Sequence, residues 1–132
     1  MSAIKTFFMS IHIETIPQNK QRYKTCGDWI FNNLGDLSMK ISDMGNPDYE
    51  FMVAIHEACE AWLCRKRGIS EESVTAFDTS EYGLSLEDPG SDCKAPYHVE
   101  HMFALQIEKL LAEKLDVNWD EYEKKLAETC PT

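Results

Sequence analysis

A chain of 132 residues, 43% apolar and 27% charged, has the size and composition of one globular domain, which we take to span residues 1–132. The net charge of −10 arises after residue 46, where acidic groups outnumber basic ones by 19 to 8. Such a surface repels phosphate backbones, which argues against nucleic-acid binding. No apolar run approaches the roughly 20 residues of a bilayer span, and no signal-peptide cleavage site follows the N-terminus, so we expect a cytoplasmic protein without a membrane partner.

The cysteines argue against a disulfide framework and against a cysteine-based zinc knuckle. They are odd in number and contain no C-x-x-C pair, which such sites usually require. We therefore expect free thiols in a reducing compartment at Cys26, Cys59, Cys64, Cys93 and Cys130.

The first third of the chain predicts three β-strands. Residues 7–14 alternate with period 2, and the face expected to be buried carries Phe7, Met9, Ile11 and Ile13. Residues 28–31 and 37–42 predict two further strands, joined by a hairpin turn at 33–36. The simplest arrangement of these strands is an antiparallel meander.

After residue 46 the hydrophobic period becomes helical. Asn46 as N-cap, Pro47 at the first position and Gly68 as the stop predict a helix over roughly 47–67. A short helix is predicted from Ser70 to about Thr79, a loop over 83–96, a third helix over about 97–115, and a fourth from Asn118. The expected fold class is thus α+β, with an antiparallel three-stranded sheet followed by three to four helices.

The first long helix carries the residues with the clearest chemistry. His56 and Glu60 are four residues apart and project from one face, so they can occupy two positions of a tetrahedral zinc site. Glu57, next to His56, could reach a water molecule beside the ion and act as its base. This is the geometry of the H-E-x-x-H helix with Glu replacing the second His.

A third zinc ligand is expected from the helix that follows the loop. His101 completes a set of two histidines and one carboxylate, which matches known catalytic zinc sites in composition. His98, Glu100 and Asp78 are further candidates for the same site, and Asp78 could instead orient a histidine. The competing interpretation is a solvated helix face. The apolar flanks of His56 favour burial, and buried ionised groups need compensation such as a cation.

Other residues have simpler explanations. His12 is expected to be exposed, and Cys64 to be an inert core thiol. Glu87, Asp88 and Asp92 lack the spacing of an EF-hand calcium loop. The tryptophans Trp29, Trp62 and Trp119 are expected in the core.

The order of these features resembles a minimal zincin-type metallopeptidase. Across about residues 8–122 the chain also resembles small uncharacterised proteins of phages and bacteria. The similarity rests on residues 42–46, 49–51, 54, 56–57, 60–61, 95–97 and 100–101. The zincin resemblance implies a zincin-like fold and a zinc-dependent hydrolase of peptide bonds, in the host cytoplasm if phage-encoded. The chain departs from the zincin pattern at Glu60, where a His is expected, and at His101, where a Glu is common.

Three functions are compatible with these observations. The first is a zinc-dependent hydrolase in which His56, Glu60 and His101 hold the metal and Glu57 is the catalytic base. The second is a helical nucleotide pyrophosphatase with magnesium on Glu57 and Glu60, but no E-x-x-D partner helix is found. The third is a non-enzymatic acidic protein that docks on a protein partner, with a structural metal or none.

Overall fold

The computed structural model describes residues 9–131, which form a three-stranded sheet and five α-helices. The predicted α+β class is therefore confirmed. The strands are β1 (Ile11–Ile16), β2 (Gly27–Phe31) and β3 (Leu37–Ser42). The helices are α1 (Pro47–Lys66), α2 (Glu71–Asp78), α3 (Glu81–Leu84), α4 (His98–Lys114) and α5 (Trp119–Thr129). The additional helix, α3, is a single turn that reaches into the predicted loop 83–96, and a 3-10 turn at Pro89–Ser91 lies within that loop.

The sheet has the order β1-β3-β2, so the predicted antiparallel meander is wrong. β2 and β3 form the expected antiparallel hairpin, whereas β1 runs parallel to β3 along its other side. Alternating hydrophobicity identifies the two faces of a strand but not its neighbours. β3 lies in the centre, where its inward residues Leu37, Met39 and Ile41 are almost completely buried.

The face of β1 that was expected to be buried is open to solvent. Ile11 and Ile13 are exposed, Ile13 by 51%. Within the sheet, helix α1 packs mainly on β2 and β3, so the edge strand β1 lies outside the region that this helix mainly covers. Phe7 and Phe8 lie outside the described residues.

Helix α1 begins and ends where its capping residues predict. The Asn46 side chain accepts hydrogen bonds from the backbone N–H groups of Asp48 (3.1 Å) and Tyr49 (3.2 Å), a cap that contributes about 1 kcal/mol. Gly68, just past the helix, has φ +74°, a conformation that favours glycine. Trp62 is 46% exposed, which corrects its expected place in the core.

The two long helices α1 and α4 pack against each other, and α5 packs near the start of α1. Helix α4 has its most extensive contact with α1. Tyr122 of α5 is fully buried, and its ring lies 5.2 Å from that of Tyr49 on α1. The buried face of α4 lies opposite the middle of α1. Among residues 9–131, no helix has both the length and the apolarity that crossing a bilayer requires.

Candidate metal centre

His56 and Glu60 of α1 and His101 of α4 form one buried cluster, here called the His–Glu–His cluster. His56 Nε2 lies 3.1 Å from Glu60 Oε2, and His101 Nδ1 lies 2.9 Å from the same oxygen. The two ring nitrogens are 3.2 Å apart. The side chains are 6%, 4% and 8% exposed, respectively. The structure thus brings together all three residues that the sequence predicts as ligands.

The spacing of these atoms suits a small tetrahedral ion. Zinc binds histidine nitrogens and carboxylate oxygens at about 2.0–2.1 Å, so neighbouring ligand atoms of a tetrahedron lie about 3.3 Å apart. The observed separations of 2.9, 3.1 and 3.2 Å are slightly shorter, so an ion requires only a small outward movement of the side chains. Three protein ligands would leave the fourth position of a tetrahedral ion open. In the part of the chain that the structure describes, no other group of three such side chains is close enough to share an ion.

Carboxylates outside the cluster fix the orientation of both imidazole rings. His56 Nδ1 donates to Glu108 Oε1 at 2.6 Å, and His101 Nε2 donates to Asp88 Oδ2 at 3.0 Å. In each ring, therefore, one nitrogen is hydrogen-bonded to a carboxylate outside the cluster, while the other nitrogen faces the centre of the cluster. Metal-binding histidines usually show this arrangement, because the carboxylate fixes the tautomer and makes the ligand more basic.

Two further hydrogen bonds hold the carboxylates of the site. Trp29 Nε1 donates to Glu60 Oε1 at 3.1 Å, which leaves Oε2 directed at the two histidines. The Tyr122 hydroxyl donates to Glu108 Oε2. Consequently β2, α1, α4, α5 and the loop before α4 each contribute one or more groups to a single hydrogen-bond network.

In the metal-free protein, protons supply the positive charge of the site. Burial lowers the pKa of His101, but the hydrogen bonds to Asp88 and Glu60 outweigh it and raise the pKa to about 9. The pKa of His56 is raised as well, because its bonds to Glu108 and Glu60 outweigh burial. Burial raises the pKa of Glu60, yet the two histidines lower it to about 2. Two imidazolium protons and one divalent cation carry the same charge, so an ion can replace the protons without unbalancing the cluster.

Glu57, the predicted base, lies beside the cluster without belonging to it. Its side chain packs against Gly27 of β2, where a Cβ atom would lie 2.7 Å from Glu57 Cγ. No residue between 9 and 131 donates a hydrogen bond to its carboxylate, which faces the adjoining cavity. Burial, followed by the nearby Glu60, raises the pKa of Glu57 well above its ordinary value.

The remaining candidate residues do not join the cluster. His98 Nδ1 lies 3.0 Å from the Gly90 carbonyl oxygen. Glu100 is buried, and its Oε2 lies 3.2 Å from Arg67 Nε. Asp78 accepts hydrogen bonds from the hydroxyls of Tyr23 (3.2 Å) and Tyr97 and orients no histidine. The other assignments hold, since His12 is exposed and Cys64 lies in the core.

A cavity of about 630 Å³ adjoins the cluster and gives it access to solvent. Besides residues of the cluster, its walls include Tyr23, Lys24, Glu57, Asp78, Tyr97 and Trp119. Residues of the loop 83–96, among them Asp88 and Pro89, also line it. The loop therefore forms part of the cavity wall.

Sequence reasoning missed the groups that orient the ligands. Glu108 is seven residues after His101 on α4, so helical spacing places it on the same face, but the helix carries two other glutamates. The sequence around Asp88 suggests no role except that of a calcium ligand, for which the spacing is wrong. Tyr122 and Trp29 carry no sequence signal of a polar role, because aromatic residues at such positions usually belong to the core.

Comparison of the chain with family models, with curated proteins and with solved structures returned no match. The site is therefore interpreted from its own geometry.

Proposed function

We propose that the protein is a zinc-dependent hydrolase with a zincin-like metallopeptidase site. His56, Glu60 and His101 hold the metal. The observation that carries this proposal is the convergence of three ligand atoms within 3.2 Å, with a carboxylate on the far nitrogen of each histidine. A zinc ion with three protein ligands supplies Lewis-acid chemistry and lowers the pKa of a coordinated water towards about 7.

Glu57 serves as the general base. Its carboxylate lies next to the cluster, faces the cavity and has no hydrogen-bond donor between residues 9 and 131 that would occupy it. A carboxylate in this position can accept a proton from the attacking water and later deliver it to the leaving amine. Gly27 makes room for this side chain, because any larger residue there would collide with it.

The cavity favours a substrate larger than a single amino acid. Its volume of about 630 Å³ lies within the usual range for ligand pockets. Along its walls Lys24 can donate to a peptide carbonyl. The hydroxyl oxygens of Tyr23 and Tyr97, whose protons are donated to Asp78, can accept from a peptide N–H. Together with the zincin resemblance of α1, this favours a peptide bond as the group that is hydrolysed.

A second candidate is a non-enzymatic protein in which a metal would be structural. The observation that favours it is the strong burial of the cluster, whose atoms already hydrogen-bond one another. Structural zinc sites, however, usually have four protein ligands, whereas the described residues offer three. The open fourth position favours catalysis.

The Glu57→Gln variant tests the proposal. Zinc-loaded wild type is incubated with a mixture of random-sequence peptides, and cleavage is followed by mass spectrometry. Glutamine has nearly the same shape but accepts no proton at neutral pH, so we expect retained zinc and turnover reduced by roughly 100-fold or more. Glu72→Gln, an exposed glutamate on α2, is the control and should cleave like the wild type.

Two results would contradict the assignment. Loss of zinc in Glu57→Gln would make Glu57 a ligand and leave the site without a base. A zinc-loaded wild type that cleaves no peptide would instead favour the structural metal.

A further inference from the structure

Two cysteines from opposite ends of the chain meet on the wall of the cavity. Cys26 directly precedes β2, and Cys130 directly follows α5. The Cys26 thiol donates to the Leu126 carbonyl oxygen at 3.6 Å, and the Cys130 backbone N–H donates to that same oxygen at 3.0 Å. This shared oxygen holds the two cysteines side by side, close enough for each thiol to shift the pKa of the other. Both are partly buried and both line the cavity.

We propose that Cys26 and Cys130 form a reversible dithiol–disulfide site that reacts with low-molecular-weight disulfides such as oxidised glutathione. The proposal is independent of zinc and of hydrolysis, because neither cysteine belongs to the His–Glu–His cluster. All five cysteines are free thiols, as the sequence predicts, yet Cys26 and Cys130 lie side by side although the chain has no C-x-x-C motif.

Cys130 is the attacking thiol. The neighbouring Cys26 thiol, together with the nearby Lys24, outweighs burial and lowers the pKa of Cys130 to about 7. The pKa of Cys26 is raised, first by the neighbouring Cys130 thiol and then by burial. A thiol whose pKa is near ambient pH combines a large thiolate fraction with good nucleophilicity.

The reaction proceeds by two exchanges. The Cys130 thiolate attacks one sulfur of the small disulfide, forms a mixed disulfide and releases the first small thiolate. The Cys26 sulfur, after losing its proton, attacks the Cys130 sulfur, so the second small thiolate leaves. Both released thiolates take up the protons that the two cysteines lost. Two protein thiols are oxidised to one disulfide, and one small disulfide is reduced to two thiols.

The disulfide would join α5 covalently to the start of β2. Helix α5 carries Tyr122, whose hydroxyl donates to Glu108, and Glu108 in turn orients His56. Oxidation therefore fixes the helix that supports one side of the site. Because the bond would close a loop of nearly the whole chain, it should also stabilise the fold by restricting the unfolded state.

Intact mass and thiol titration of the full chain, equilibrated with oxidised glutathione, test the proposal. We expect the loss of two hydrogen atoms in mass, a decrease of two in the five titratable thiols, and a peptide map that links Cys26 to Cys130. Melting temperature should rise on oxidation and return on reduction. Cys26→Ser should stop at a glutathione adduct on Cys130, whereas Cys93→Ser, an exposed cysteine, should form the internal disulfide like the wild type.

Several results would overturn the proposal. These are five thiols that persist in the wild type, a disulfide that maps to another pair, or an unchanged internal disulfide in Cys130→Ser. The wild-type measurement requires no substitution, so the test stands even if a variant folds poorly.

Discussion

At the scale of single residues, hydrogen bonds to the carboxylates define how each histidine could bind a metal. His101 donates a hydrogen bond from Nε2 to Asp88, so its Nδ1 faces the cluster. His56 donates from Nδ1 to Glu108, so its Nε2 faces the cluster. The two histidines thus use different nitrogens, a choice that spacing in the sequence does not reveal. Their carboxylate partners are part of the site, because the loss of a group that orients a metal ligand typically weakens metal binding by about 10–100-fold.

The first prediction at this scale distinguishes His101 from His98, one turn earlier on α4. His101→Ala should weaken zinc binding by at least roughly 10–100-fold in competition with a chelator, because it removes a ligand. His98→Ala should bind zinc like the wild type, since the His98 ring contacts the Gly90 carbonyl outside the cluster. The reverse outcome, a silent His101→Ala and a damaging His98→Ala, would show that the third ligand is misassigned.

A second prediction concerns the pH dependence of stability through Asp78. Burial outweighs the bonds from Tyr97 and Tyr23 and raises the Asp78 pKa from 3.8 to about 6 in the metal-free protein. Between these values the folded state binds more protons than the unfolded state, so this group makes stability fall as pH rises. Asp78→Asn, which has no proton to lose, should be more stable than the wild type at pH 7, by on the order of 1–3 kcal/mol.

Urea unfolding at pH 4 and pH 7, in the presence of a chelator, measures this difference. The advantage of Asp78→Asn should largely disappear at pH 4, where the wild-type carboxyl is protonated in the folded state. A variant that is less stable than the wild type at pH 7 would contradict the raised pKa.

At the scale of secondary-structure elements, α1 and α4 together carry the candidate metal ligands and a carboxylate that orients one of them. Residues four apart on α1 supply two candidate ligands, and residues seven apart on α4 supply the third candidate and the carboxylate that orients His56. Helical periodicity makes such spacings readable, and so the sequence predicted α1, its caps and the pair His56 and Glu60. The position of Asp88 depends on the path of a loop in three dimensions, which no local pattern specifies.

The loop before α4 gives the prediction at this scale. A Cβ atom on Gly90 would lie 2.4 Å from His101 Cγ and Nδ1, so Gly90→Ala must displace the ring or the loop. We expect zinc affinity to fall by roughly 10–100-fold, as when a supporting group is removed. Cys93→Ser, in the same loop and exposed, is the control. Unchanged affinity in Gly90→Ala, measured by chelator competition, would mean that the ring has more freedom than the packing indicates.

At the scale of the whole molecule, the features that depend on local sequence could be predicted, whereas those that depend on long-range packing could not. The α+β class, the β2–β3 hairpin and four of the helices follow from periodicity and capping, which are local properties. The central position of β3 and the exposure of Ile13 do not, because they depend on which strands α1 covers. The predicted ligands lie together for a related reason. His56 and Glu60 share one helix, and His101 required only that α4 pack on α1.

An ion in the His–Glu–His cluster would link the two long helices, which contact each other more extensively than any other pair of elements. It would replace the two imidazolium protons of the metal-free state, so binding should release protons and weaken as the pH falls below the raised histidine pKa values. A bound ion would thus stabilise the folded molecule at the same place where its candidate reaction centre lies.

The most direct test is the zinc content of the purified protein, measured by elemental analysis together with anomalous diffraction at the zinc edge. We expect about one equivalent of zinc per chain, an anomalous peak between His56, Glu60 and His101, and loss of the metal in a His56→Ala variant whose helical content is retained. A wild type without metal after growth in zinc-supplemented medium, or full occupancy in His56→Ala, would contradict this expectation.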